Sequence, residues 1–80
     1  HSSKLKFTYK EQREYETIDK DIEALDRQAE ELDAEIEKAA TQYTRLEELT
    51  RKKEEVQKAL EEKMERWMYL EELAAKIAEQ

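Results

Sequence analysis

Apolar residues recur along this chain at alternating steps of three and four. One such repeat runs through Tyr15, Ile18, Ile22, Leu25, Ala29, Leu32, Ile36, Ala39 and Tyr43. A second runs through Leu46, Leu49, Lys53, Val56, Leu60, Lys63, Trp67, Leu70, Ala74 and Ile77. Each is the heptad seam of a helix that packs along its length against another helix. The two seams are out of phase, because Tyr43, Leu46 and Leu49 are separated by two successive steps of three. A phase break of this kind predicts a chain reversal. Ahead of the first seam, Leu5, Phe7 and Tyr9 alternate with Lys4, Lys6, Thr8 and Lys10. That period of two predicts a short extended segment with one apolar face.

Two capping-box matches refine the boundaries. Thr8-Tyr9-Lys10-Glu11 places the first helix start near Tyr9, and Thr44-Arg45-Leu46-Glu47 places a second start near residue 45. The expected architecture is all-α, a two-helix antiparallel coiled-coil hairpin with a short extended N-terminal segment. Helix 1 should span about 9–40, the turn about 41–44 and helix 2 about 45–78 within a domain of residues 4–80. Pairing positions whose numbers sum to 85 tests this. Tyr15 then meets Leu70, Ile18 meets Trp67, Leu25 meets Leu60, Ala29 meets Val56, and Ile36 meets Leu49. Lys53 falls opposite Leu32 and Lys63 opposite Ile22. Their stems can pack while their ammonium groups reach outward. The alternative is one continuous helix in a parallel dimer, since no Gly or Pro enforces a bend.

Composition agrees. Charged residues make up 46% of the 80 residues, and Gly, Pro and Cys are all absent. This is the mixture of long helices. No disulfide or thiolate chemistry is available, and no apolar run approaches a membrane span or signal peptide. A cytoplasmic location, no membrane association and a monomeric state are the expectations. His1-Ser2-Ser3 reads as a tag remnant.

Catalytic chemistry has no obvious seat, so the chain is not expected to be an enzyme. The one histidine is His1, and the hydroxyls Thr8, Thr17, Thr41, Thr44 and Thr50 lack a neighbouring base. Carboxylate pairs such as Glu31/Glu35 and Glu61/Glu65 could hold a cation, but solvated helix faces account for them better. There is no Gly-rich phosphate loop, and neither a metal nor a cofactor is expected in this chain.

Charge is unevenly placed. The net charge is −7, yet residues 1–13 carry +3, residues 14–37 carry −9, and residues 38–58 carry +2. An acidic whole disfavours nonspecific nucleic-acid binding, while local basic zones could still meet phosphate. At the turn end the candidates are Lys38, Arg45, Arg51, Lys52 and Lys53. Tyr43 beside them could stack on a base or cap the last layer. At the open end the candidates are Lys4, Lys6, Lys10 and Arg13. Glu47 and Glu48 could neutralise Arg51 and Lys52 across one helical turn. The aromatic and Met set at the open end comprises Phe7, Tyr9, Tyr15, Trp67 and Tyr69 with Met64 and Met68. It reads as a plug closing the helix ends or as a docking surface.

Two stretches carry a resemblance. Leu5-Lys6-Phe7-Thr8-Tyr9-Lys10-Glu11-Gln12-Arg13-Glu14 resembles the opening of the C-terminal domain of Uup-type ABC-F ATPases. Glu65-Arg66-Trp67-Met68-Tyr69-Leu70-Glu71-Glu72-Leu73 is similar to the closing segment of that domain, and a coiled coil lies between them. Many relatives have a longer, Pro-containing turn where this chain has Ala40-Thr41-Gln42-Tyr43-Thr44. The resemblance implies a parent protein with two ATP-binding cassettes, using ATP and Mg, without membrane spans. It implies action on the ribosome in translation or in DNA processes. The implied partners are ribosomal RNA or duplex DNA, the ribosome, and the protein's own cassettes; a protein–protein or self-association coiled coil, or a rigid spacer, is the alternative role.

Overall fold

The computed structural model describes residues 4–80; the segment read as a tag remnant, residues 1–3, lies outside the described residues. Two helices follow one another, α1 (Tyr9–Ala39) and α2 (Tyr43–Glu79). They lie antiparallel, as the cross-links between them show. Leu5 joins Gln80, Glu14 joins Arg66, Asp21 joins Lys63, and Asp33 joins Lys53, so partners converge steadily toward the turn. The molecule measures 67 × 18 × 15 Å, which makes it an arm and not a globule.

The expected seam is the observed one. Ile18, Ala39, Leu49 and Leu70 are buried, and every other position of both repeats is half-buried, with the single exception of Tyr43. Two helices shield each seam residue on one side only, so half-burial is the ordinary outcome for this architecture. Lys53 and Lys63 stay in the seam by their stems. Their ammonium groups emerge at the edges, to Asp33 and at 3.1 Å to Asp21.

The start of α1 forms as its sequence predicts. Thr8 is extended, its hydroxyl accepts the Glu11 N–H at 3.1 Å, and the Glu11 carboxylate accepts the Thr8 N–H at 2.9 Å. The start of α2 does not. Its N-cap is Gln42, with no side-chain capping bond, and the Gln42 carbonyl accepts the Leu46 N–H at 2.9 Å. Ala40, Thr41 and Gln42 suffice to reverse the chain, because Ala39 is small enough to be enclosed at the inside of the bend. Helix then resumes at Tyr43. Thr44 is already helical there, so it cannot take the extended backbone that a capping residue needs.

This shorter turn also removes Tyr43 from the seam. It rides on the first turn of α2 and is 83% exposed, so it does not cap the last layer. At the open end residues 4–8 are neither helix nor strand. Phe7 packs on Tyr15 with ring centroids 5.1 Å apart. The Gln80 amide clamps Leu5, accepting its N–H at 2.6 Å and donating to its carbonyl at 2.8 Å. Phe7 and Tyr15 therefore form the plug, whereas Tyr9, Met64, Met68 and Tyr69 remain exposed.

Candidate nucleic-acid interface

The nine candidate cations fall at opposite ends of the arm, and the turn group is itself divided. Arg45 is engaged, with Glu48 at 3.3 Å and Glu35 at 4.0 Å. Lys53 is half-buried and bound to Asp33. These two are committed to links across the hairpin. Lys38, Arg51 and Lys52 are exposed and have no carboxylate within 4.0 Å among the described residues. The expected neutralisation of Arg51 and Lys52 by Glu47 and Glu48 is not formed, because Glu48 turns back one turn to Arg45.

The free cations do not share one surface. Lys38 lies with Arg45 and Gln42 in a hollow at the bend. Arg51 shares a groove with Tyr43 and Thr50, bordered by Glu47 and Glu54. Lys52 sits on another side, beside Gln28, Glu31 and Glu55. Lys38 lies at the bend, Arg51 lies beside the exposed Tyr43 phenol, and Lys52 stands further along the arm. At the open end, Lys4, Lys6 and Lys10 are exposed without a carboxylate within 4.0 Å among the described residues. Arg13 lies 5.9 Å from the Tyr9 ring centroid and donates to the Tyr9 hydroxyl at 3.2 Å. The cation–π contact occupies its guanidinium without neutralising it.

The most structured polar feature was not foreseen. Arg66 donates from Nε and Nη2 to the two oxygens of Glu14, at 2.8 and 3.0 Å. The same guanidinium lies 4.7 Å from the Tyr69 ring centroid. The Tyr69 hydroxyl donates to Glu11 at 2.8 Å. Glu11 is the capping carboxylate of α1, so one chain of contacts runs Thr8–Glu11–Tyr69–Arg66–Glu14. On the other side of the hairpin, the Tyr15 hydroxyl donates to Glu71 at 3.0 Å. The capping bond from the Thr8 backbone holds the Glu11 carboxyl below the usual carboxylate range, and the Tyr69 hydrogen bond adds to this. Arg66 does the same for Glu14. Donation to Glu71 and to Glu11 raises the phenols of Tyr15 and Tyr69 respectively. Residues of the opening and closing motifs thus grip one another. The signal for them lay in the register: Glu11/Tyr69, Glu14/Arg66 and Glu35/Arg45 each sum to 80, a constant offset from the seam pairs.

Among the described residues no cluster of His, Cys, Asp or Glu is arranged to hold a metal ion, and no helix is long and apolar enough to cross a membrane. A two-helix arm closed at one end by a mutual grip of its terminal motifs defines an accessory coiled-coil domain. The family model of the ABC transporter C-terminal domain matches residues 6–72, and the chain belongs to that family. The match takes in the coiled coil and all but the outermost residue of each motif, Leu5 and Leu73. Comparison with curated proteins and with solved structures finds no match.

Proposed function

We propose that this hairpin is the nucleic-acid-contacting arm of a Uup-type ABC-F ATPase, working in the cytoplasm on ribosomal RNA or duplex DNA. One observation carries the reading. The turn-side part of a 67 Å arm presents Lys38, Arg51 and Lys52 without carboxylate partners among the described residues, and beside Arg51 stands a Tyr43 side chain that is 83% exposed. Cations on different sides of a narrow arm can meet successive phosphates of a backbone. An exposed phenol among them can stack on an unpaired base. The −7 net charge confines such contact to the ends. ATP and Mg chemistry belongs to the cassettes of the parent protein, and the arm brings no catalytic group of its own.

The test is fluorescence anisotropy of labelled duplex DNA and structured RNA titrated with the domain at two salt concentrations. Each phosphate contact contributes about 0.9 to the salt slope on duplex DNA. The K38E/R51E/K52E variant should lower that slope by about 2–3 and weaken binding at low salt. Lys53 is left intact, because reversing it would break the seam. Binding unchanged in the variant removes the turn end from the reading, and no binding by the native domain at low salt removes nucleic acid altogether. A second reading, a protein-docking coiled coil, is favoured by a separate observation on the long faces of the arm.

A further inference from the structure

The two long faces of the hairpin, on either side of the seam, are chemically unlike. One face is neutralised across the helices by Glu14 with Arg66, Asp21 with Lys63, and Glu35 with Arg45. The other carries on α1 an unbroken stripe at steps of three and four: Glu16, Asp19, Glu23, Asp26, Glu30, Asp33 and Glu37. This spacing puts all seven carboxylates along one edge of the helix. The facing edge of α2 carries Glu47, Thr50, Glu54, Gln57, Glu61, Met64, Met68 and Glu71. No Lys or Arg takes any of these edge positions. Among the described residues only Asp33 of the stripe has a cation within 4.0 Å, the seam residue Lys53.

The same face has an apolar hollow. Asp19, Ile22, Glu23, Met64 and Trp67 line it toward the open end. Met64 is 48% exposed, and Met68, one turn further along the same edge, is 58% exposed. Methionine is a pliant apolar surface that moulds to a partner side chain. An apolar hollow bracketed by Asp19, Glu23, Glu61 and Glu71 has a definite complement. That complement offers an apolar side chain for the hollow and cations at helical spacing beside it.

We infer that this face docks a basic amphipathic helix of a partner protein, with an apolar anchor seated between Ile22, Met64 and Trp67 and with Lys or Arg side chains laid along the α1 stripe. Helix-in-groove recognition uses this arrangement of anchors and flanking charge. A second copy of the chain does not fit, since the faces would meet with the same sign. Nucleic acid is repelled from this face for the same reason. The inference does not rest on the turn-end cations: Lys38 and Lys52 lie on other surfaces, and Arg51 borders this face only at its turn end, away from the hollow.

Trp67 is the one tryptophan of the chain and lines the hollow, so its emission reports occupancy directly. The probe is a designed helical peptide of Lys and Leu without aromatic residues, with the Leu residues at steps of three and four. Its control is a scrambled peptide of the same composition. The expected result is a saturable change in Trp67 emission with the first peptide and a several-fold weaker response to the second. D19N/E23Q/D26N should weaken binding about tenfold, whereas E31Q/E55Q/E62Q, which removes as many charges from other faces, should alter it by less than about twofold. M64S/M68S, at two exposed sites, should also weaken it while leaving the helical circular dichroism intact. The K38E/K52E variant, changed only on other surfaces, should bind the peptide as the native chain does. Equal losses from the two neutralised triples, or equal binding of the scrambled peptide, would reduce the effect to net charge and overturn the inference. So would an unchanged Trp67 signal.

Discussion

Arg66 holds Glu14 across the hairpin with two parallel hydrogen bonds, at 2.8 and 3.0 Å. It does so while stacked on Tyr69, whose hydroxyl reaches the capping carboxylate Glu11. The first turn of α1 is therefore tied to the last third of α2 by side chains from the two sequence motifs. A planar guanidinium can bond a carboxylate in two places and lie over a ring at once, and an ammonium cannot. Arg66 and Glu14 are partly exposed, so the pair belongs to the upper end of the surface range. A double-mutant cycle with E14Q and R66M, followed by urea denaturation, should give a coupling of about 0.5–1 kcal/mol. R66K should recover less than half of it. Full recovery by lysine would mean that only the charge matters.

The same network sets a pH response. The carboxyls of Glu11 and Glu14 are held below their ordinary value of 4.5 in the folded state. A depressed folded pKa contributes stability above the unfolded value, and that contribution is lost as pH falls through the folded value. Acid titration from about pH 5 downward should thus erode the grip of the two motifs. E11Q and E14Q should each flatten the loss of thermal stability over that range relative to the native chain. Parallel acid limbs in native and variant chains would show that the network does not respond to acid.

The phenols give the opposite sign. Tyr15 and Tyr69 are raised above their ordinary value of 10.0, because their neutral hydroxyls donate to Glu71 and Glu11. A raised folded pKa contributes stability below the unfolded value, lost as pH rises through the folded one. In an alkaline absorbance titration of phenolate, Y69F should delete a component that titrates above about pH 10. Deletion of an earlier component would contradict the Tyr69–Glu11 bond.

The seam was legible because a heptad repeat is a direct statement of which helix face is dry. Ile18, Leu49 and Leu70 fall where the period puts them, and half-burial of Lys53 and Lys63 follows from their long stems. The turn was less legible. Tyr43 fits the periodicity of helix 1, and only the place of reversal decides whether it joins the seam or stands free. Thr44 begins a capping sequence that the helix runs through, since a cap motif needs an extended backbone that the bend at Ala40–Gln42 does not supply there. The free and engaged cations could not be sorted from charge counts. Arg45 and Arg51 look alike in the sequence, but Arg45 lies on the edge facing Glu35 and Arg51 does not. The long acidic face was visible as a −9 stretch, but its one-sidedness needs the helix and its partner together.

Packing toward the two ends of the seam, where burial is complete, should carry much of the stability. Leu70 has no exposed surface, and Ile18 and Leu49 are 1% exposed. Leu70→Ala should cost about 2–4 kcal/mol by urea denaturation, from lost transfer and an unfilled gap beside Tyr15. Met64→Ala, at an exposed site, should cost less than about 1 kcal/mol. Similar losses at the two positions would mean that the seam is loosely packed.

Lys53 and Lys63 are the two seam positions where stability is forgone. Each packs its stem between the helices and takes its ammonium to an edge carboxylate, Asp33 or Asp21. Those pairs lie in water and return little. Leucine at both sites would bury more apolar surface against Leu32 and Ile22, and leave exposed carboxylates that water solvates. K53L/K63L should therefore raise the unfolding free energy by about 1–3 kcal/mol. It should also widen the choice of partners, because polar seam residues restrict a coiled coil to one register and one number of helices. The native chain is expected to sediment as a monomer over a range of concentrations, and the variant to gain a concentration-dependent dimer. A variant that is less stable than the native chain would show that the two salt bridges contribute more than surface pairs do. A stabilised variant that stays monomeric would move the specificity of the hairpin to its turn and its terminal grip.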